Sequence, residues 1–114
     1  MITETNSYTL ENGIAVFQIK GRLHLGNLLQ SAETALKKLI EGGARKVIVE
    51  VSELSYIDSA GIGMLVTCFG QMEEAGGQLR IAGAQGGVAK TFGVAKIERL
   101  IPFDADLAAA QGNF

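Results

Sequence analysis

The sequence predicts an α/β protein: one domain over residues 1–114, with a mixed, mainly parallel sheet of about four to five strands and helices packed mostly on one face. Three observations lead to this prediction. The Asn12-Gly13 dipeptide is a strong hairpin signal, because both residue types tolerate positive φ. After it, runs with strand-like and helix-like apolar spacing alternate along the chain. Glycines fall mostly at the predicted junctions and bound the elements.

The first half of the chain predicts three strands and a helix. Strands are expected at residues 7–11, 14–20 and 46–51. The second strand has apolar residues on both faces, which indicates that it is covered on both sides for part of its length. Apolar residues at helical spacing predict an amphipathic helix over about residues 27–41. That stripe consists of Leu28, Leu29, Ala32, Ala35, Leu36, Leu39 and Ile40.

The second half begins with a long predicted helix, from about Ser59 to Ala75, which ends at a pair of glycines. Its apolar residues recur every three or four positions, the spacing of one helix face. They are Ile62, Leu65, Val66, Phe69 and Met72. A strand at residues 78–82 and a short helix around residues 88–92 follow.

The C-terminal segment predicts one more strand and one more helix. The strand is expected at Arg99–Phe103, and Asp104 is the predicted N-cap of a helix over residues 105–111. We expect three apolar side chains of this half of the chain to lie in the core. They are Phe92, Leu100 and Ile101.

The predicted topology brings three glycine-containing segments to one edge of the sheet. Each strand after the hairpin is joined to the next through a helix, and such crossovers make parallel neighbours of one hand. The carboxyl ends of the strands would then gather residues 21–24, 58–63 and 83–87. Open α/β sheets usually carry their function at this edge.

Composition and charge limit the classes of function. The chain has 10 basic and 12 acidic side chains, so it lacks the basic field with which proteins bind nucleic acid. No apolar run approaches the length of a membrane span, and no basic segment leads into an apolar one near the N-terminus. A single cysteine, Cys68, suits a reducing compartment. The lone His24 limits metal chemistry, and we expect no cofactor. These features favour a cytoplasmic protein.

The segment Asp58-Ser59-Ala60-Gly61 joins a β-branched strand to the long helix and allows two interpretations. In the structural one, Asp58 or Ser59 is an N-cap and the glycine permits close packing. In the functional one, Ser59 is a regulated hydroxyl near the unpaired N–H groups of a helix N-terminus. A phosphate there would be tolerated by the fold and would bring a charge of about −1.5 to −2 to the surface.

Two catalytic patterns fit poorly. The loop from Gly83 to Thr91 follows a strand and precedes a helix like a phosphate-binding P-loop, but alanines occupy both positions where that motif requires glycine. Around Ser59 the sequence resembles a nucleophile elbow without its first glycine, and Asp58 is poorly placed to orient His24 as a base. We therefore expect no enzymatic activity.

Three further side chains have open roles. His24 is either a solvated turn residue or a partner contact near Ser59. Cys68, beside the apolar stripe, is expected to be a partly buried and inert thiol. Met64 is expected either at the core edge or exposed beside Ser59, where it would suit a protein-binding surface.

At the centre of the chain, residues 47–65 read VIVEVSELSYIDSAGIGML. This stretch resembles the signature of the STAS domain, and more narrowly that of bacterial anti-sigma factor antagonists. The segment DSAGIG, Asp58–Gly63, is its most specific part. Residues 21–23, 32–36, 76–80 and 88–101 are similar to other elements of the family, so the resemblance covers nearly the whole chain.

The resemblance implies a mechanism. An unphosphorylated antagonist binds an anti-sigma factor that is also a serine kinase, and so releases the sigma factor. The kinase then phosphorylates the serine that begins the second helix, here Ser59, and a phosphatase reverses the modification. The predicted partner-binding residues are His24, Asp58, Ser59, Ala60, Gly61, Ile62, Gly63 and Met64. A monomer or weak dimer is expected, and contact with nucleic acid or membrane is not.

One departure from the family keeps alternatives open. Efficiently phosphorylated antagonists usually carry an acid where this chain has His24, and often one where it has Arg22. A non-switching STAS scaffold of a signalling complex is therefore an alternative. A small-molecule or nucleotide-binding module that uses the loop from Gly83 to Thr91 is another.

Overall fold

The computed structural model describes residues 4–114, so the first three residues of the predicted domain lie outside the described range. Within that range the chain forms a sheet and helices in a βαβ-rich order. The strands are β1 (Glu4–Thr9), β2 (Ala15–Leu23), β3 (Lys46–Glu50), β4 (Leu54–Ile57), β5 (Gln78–Ala82) and β6 (Phe103–Asp104). The helices are α1 (Asn27–Glu41), α2 (Ser59–Glu74), α3 (Gly86–Ala95) and α4 (Leu107–Gln111), with a 3-10 turn at Ile97–Arg99.

The sheet is mixed and mainly parallel, which confirms the predicted fold class. Its order is β1-β2-β3-β5-β6, and only β1 runs antiparallel to its neighbour. The hairpin between β1 and β2 is also confirmed, although its turn is wider than the two predicted residues, because Leu10 donates a backbone hydrogen bond to Ile14 across it. Gly13, at φ +86, supplies the positive φ that the turn requires.

Strand β4 lies between the predicted strand at residues 46–51 and the predicted helix from Ser59, where the sequence predicts no strand. The first half of β2 pairs with β3, and its last residues, Gly21–Leu23, pair with β4 in parallel. The register shifts after Gly21. Gly21 has φ +87, a backbone conformation that residues with a Cβ rarely adopt. This change of partner carries β2 to the point where α2 begins.

Two apolar layers cover the sheet. The larger one lies against α1, α2 and α3, and contains Ala15, Phe17 and Ile19 from β2. The smaller one, on the other side, packs Ile14 and Ala110 together with residues of β3 and β5. Both predictions, a β2 covered on two sides and helices mostly on one face, are confirmed.

The buried face of α2 differs from the predicted stripe. Met64 and Cys68 are 4% and 0% exposed, whereas Ile62 and Val66 are only half-buried. The buried face of α2 therefore includes Met64 and Cys68 in place of Ile62 and Val66. The helix has this orientation because its first turn packs closely against β2 at Gly61. Cys68 is fully buried, deeper than predicted, and the predicted positions Leu65, Phe69 and Met72 are buried.

The C-terminal predictions need correction. The predicted strand Arg99–Phe103 is displaced: Arg99 ends a 3-10 turn, and only Phe103 of the predicted residues lies in the strand, β6. Ile97 and Ile101, four residues apart, are buried. Leu100, predicted in the core, is 50% exposed. The N-cap of α4 is Asp106, whose carboxylate accepts a hydrogen bond from Ala109 N at 2.8 Å.

Asp104, the predicted cap, instead lies in β6 and pairs with Arg80 of β5. Its carboxylate accepts hydrogen bonds from Arg80 Nε at 2.6 Å and Arg80 Nη2 at 3.1 Å. The side chain is 3% exposed. This bidentate pair joins β5 to β6 and holds the pKa of Asp104 below its usual value.

No helix within residues 4–114 has the length and hydrophobicity needed to cross a membrane.

Candidate functional site

Ser59 is the first residue of α2 and is exposed. It follows Asp58, which has the extended backbone of an N-cap residue, with φ −108 and ψ −177. Of the two candidates for the cap, the structure selects Asp58, whose Oδ1 accepts a hydrogen bond from Gly61 N at 2.9 Å. The Ser59 hydroxyl therefore takes no part in capping and projects from the turn at the carboxyl edge of the sheet.

The Asp58 carboxylate also connects two segments that are distant in sequence. Its Oδ2 accepts a hydrogen bond from Leu25 N at 3.0 Å, in the loop between β2 and α1. The Asp58 N–H donates in turn to the Leu23 carbonyl at 3.2 Å. These contacts hold the loop that carries His24 beside the start of α2.

The hydrogen bonds to Asp58 favour its ionised form. Burial opposes ionisation, but the backbone N–H groups of Leu25, Gly61 and Ala60, with a smaller contribution from the charge of His24, outweigh that effect. The pKa of Asp58 is therefore below its usual value, and the residue is an anion at neutral pH.

Gly61 allows α2 to begin in contact with β2. A Cβ at this position would lie 2.7 Å from Ile57 Cγ1 and 2.8 Å from the Leu23 carbonyl oxygen, closer than real Cβ atoms approach. By contrast, a Cβ on Gly63 would meet nothing within 4 Å. The first glycine is thus a packing requirement, whereas the second leaves a bare helix surface one turn after Ser59.

A group of aromatic and basic side chains lies beside this turn on β2 and β4. The Arg22 guanidinium carbon is 4.3 Å from the centre of the Tyr56 ring, a cation–π distance. The His24 ring meets the same tyrosine edge-on at 6.4 Å, and His24 Nδ1 lies 3.1 Å from the Leu25 carbonyl oxygen. All are exposed, and Leu25 is 75% exposed. The surface next to Ser59 is therefore partly apolar, and Arg22 adds a positive charge to it.

A groove between α2 and α3 opens on the other side of Ser59. Its volume is about 370 Å³, and Ser59, Ile62, Lys90 and Val94 line it together with Thr91 and Ala95. Val94 is 77% exposed. The four α3 residues of the groove are spaced as on one side of a helix. One face of α3 therefore lies opposite the first turn of α2.

The predicted partner-binding residues divide into three groups by exposure. His24, Ser59 and Gly63 are exposed, whereas Asp58, Ala60 and Ile62 are half-buried. Gly61 and Met64 are buried, so their side of α2 faces the core. They can affect partner binding only indirectly, by positioning the exposed residues of α2.

Sequence reasoning missed the surface contributions of Leu25, Tyr56, Lys90 and Val94. Tyr56 lies on β4, whose four residues show no alternation of apolar and polar side chains, so no local pattern marks it. Nothing local marks Lys90, because its place beside Ser59 depends on how α3 packs against β4.

The loop that begins at Gly83 is closely packed at its start. A Cβ on Gly83 would lie 2.9 Å from a side-chain oxygen of Glu50 and 3.2 Å from Ser52 N. Glu50 is only 7% exposed, and Ser52 N donates to it at 3.3 Å. Little space therefore remains beside Gly83 for a phosphate group, which disfavours the nucleotide-binding alternative.

Within residues 4–114, no three His, Cys, Asp or Glu side chains are grouped closely enough to hold a metal ion.

Comparison with known proteins places these features in a family. A family model described as the STAS domain matches residues 7–110. An anti-sigma factor antagonist from Mycobacterium paratuberculosis shares the fold with a TM-score of 0.85 at 14% identity, over 98% of this chain and 93% of that one. The Bacillus cell fate determinant SpoIIAA, in its phosphorylated form, gives 0.70 at 17% identity, over 96% and 98%.

The same fold also occurs in another functional class. A sulfate transporter family protein from Wolinella succinogenes matches with a TM-score of 0.73 at 12% identity, over 93% of this chain and 87% of that one. At such identities the likeness establishes the fold, and function has to be argued from the site.

Proposed function

The chain belongs to the STAS domain family, and on that premise we propose that it is an anti-sigma factor antagonist switched by phosphorylation of Ser59. In its unmodified form it binds an anti-sigma factor with serine kinase activity and releases the sigma factor. The kinase modifies Ser59, the complex separates, and a phosphatase restores the binding form. The protein has no catalysis or cofactor of its own in this scheme, and it acts in the cytoplasm as a monomer or weak dimer.

One observation carries the proposal: Asp58 performs the capping, and Ser59 is left exposed at the same turn. A serine with a structural role here would occupy the N-cap position, but Asp58 occupies it, so the fold does not need the Ser59 hydroxyl. An exposed hydroxyl on a rigid turn is instead accessible to a kinase, and changing it does not disturb the hydrogen bonds that form the turn.

The surroundings of Ser59 suit a protein partner. Leu25 and Val94 are 75% and 77% exposed, and Tyr56 is 41% exposed. Exposed apolar and aromatic side chains near a bare helix surface are typical of protein-binding sites. A phosphate in the middle of such an interface would lose its hydration there, at a cost of several kcal/mol.

Binding of the cognate anti-sigma factor to Ser59 variants tests the switch. Ser59→Ala should bind with wild-type affinity and accept no phosphate. Ser59→Glu should bind at least about 100-fold more weakly, since about 3 kcal/mol of burial cost corresponds to that factor. Thr67→Glu, an exposed site about two turns further along α2, is the matched control and should bind normally. Wild-type affinity of Ser59→Glu would overturn the proposal.

A non-switching STAS scaffold is the second candidate, and Arg22 and His24 favour it. They stand where switching antagonists usually carry acids, and Arg22 is already stacked on Tyr56. Isolation of the protein from its host, with mass spectrometry of Ser59 and of bound proteins, separates the candidates. A large stable assembly with unmodified Ser59 under all conditions would support the scaffold.

A further inference from the structure

The capping of α2 leaves a phosphate on Ser59 with less stabilisation than a helix N-terminus usually provides. Helix N-termini bind anions through unpaired N–H groups. Here the Gly61 N–H already donates to the Asp58 carboxylate, and the Ile62 N–H donates to the Asp58 carbonyl. Asp58 is moreover an anion, so phosphorylation would place about −1.5 to −2 charges beside an existing negative charge.

The charged and titratable groups around Ser59 come from three elements. Asp58 precedes it, Arg22 and His24 lie toward β2, and Lys90 faces it from α3. Arg22 is stacked on the Tyr56 ring. His24 is held toward the Leu25 carbonyl and meets the same ring. Arg22 and His24 are therefore both engaged with the Tyr56 ring, and neither lines the groove.

Lys90 differs from them in two respects. It lines the same groove as Ser59, and within residues 4–114 its ammonium group forms no ion pair. It is exposed, so its four-carbon side chain can turn toward the mouth of the groove. The other α3 side chains that line the groove, Thr91, Val94 and Ala95, carry no charge, and the Thr91 hydroxyl donates to Gly87 O.

We propose that Lys90 is the counter-charge of the phosphorylated state, binding the phosphate of Ser59 across the groove between α2 and α3. This inference rests on the proposed function, because it assumes that Ser59 is modified. In the unmodified protein Lys90 has no such partner and the groove is open. After modification the pair links α3 to the first turn of α2, and the phosphate is held on the protein's own surface.

Phosphorus NMR on the protein phosphorylated at Ser59, prepared by incorporating phosphoserine during translation, tests the pairing without any binding partner. The second pKa of a phosphoserine is about 6. In the wild type a nearby cation should lower it, and Lys90→Gln should raise it by about half a unit, or about threefold in proton affinity, as expected for a partly exposed pair. Lys96→Gln, which removes the same charge at the end of α3, should leave it unchanged.

Two results would overturn the proposal. One is an unchanged phosphate pKa in Lys90→Gln. The other is a shift of the same size in His24→Gln but not in Lys90→Gln, which would assign the counter-charge to the loop before α1. Failure of the switch itself would appear elsewhere, as wild-type binding by Ser59→Glu, so the two proposals fail separately.

Discussion

The carboxylate of Asp58 and the backbone N–H of Leu25 lie 3.0 Å apart and are joined by a hydrogen bond that spans 33 residues of sequence. The same carboxylate caps α2 through Gly61 N. One side chain therefore both starts the helix that carries Ser59 and holds the neighbouring loop in place.

Asp58→Ala should lower the free energy of unfolding by about 1–2 kcal/mol, because it removes a cap and a second hydrogen bond to the backbone. Urea denaturation measures this change. Asp106→Ala is the control, since Asp106 caps α4 through Ala109 N and, within residues 4–114, its carboxylate forms no hydrogen bond to another element. An equal loss in both variants would mean that the contact with Leu25 contributes nothing.

The stability of the protein should depend on pH through Asp58. Its pKa is lowered in the folded state, so its contribution is present above the unfolded-state value of about 4 and is lost as pH falls through the folded-state value. The difference in unfolding free energy between wild type and Asp58→Asn should therefore be largest near neutral pH and shrink in acid. Asp104, whose pKa is also lowered, is present in both proteins, so its contribution cancels from this difference in unfolding free energy. A difference that grows on acidification would contradict the assignment.

Gly61→Ala and Gly63→Ala should have opposite effects although the two positions are only two residues apart in α2. At Gly61 the new methyl group would overlap the Leu23 carbonyl, part of a strand that cannot move away easily, and we expect a loss of about 2–3 kcal/mol. At Gly63 the space is open, and alanine should stabilise the helix by about 0.5–1 kcal/mol. Thermal unfolding of the two variants checks this, and a stable Gly61→Ala would refute the close contact.

The thiol of Cys68 should be inert in the folded protein. Burial raises its pKa to about 11 from a usual value of 9.0. At a fixed pH below both values, this shift alone lowers the thiolate fraction about 100-fold, and burial also blocks access. Alkylation at mildly alkaline pH should be slow in buffer and as fast as that of a free thiol in denaturing urea. Labelling of the native protein at the free-thiol rate would show that α2 opens readily.

Local sequence patterns determined a large part of the fold. The apolar spacing of residues 27–41 predicted α1 with the observed bounds, and the β-branched run at residues 46–51 predicted β3 to within one residue. The start of α2 at Ser59 was also predicted. These features depend on the period of neighbouring residues and on glycines at junctions, which act within a few positions along the chain.

Tertiary contacts decided the rest. Strand β4 exists because the end of β2 offers it a partner, and its four residues have no alternation that would mark them alone. Met64 is buried because α2 approaches β2 at Gly61. Asp104 pairs with Arg80 and leaves the capping of α4 to Asp106, two residues later.

The site divides in the same way. The sequence by itself identified Ser59 and its turn, because a small polar residue between a strand and a helix is a local pattern. Only the tertiary structure decided between the two possible caps, since Asp58 is held by Leu25, and only it brought Lys90 to the groove beside Ser59. Hydrogen bonds and charges act through space, and the residues they join here are separated by about thirty positions that no local period connects.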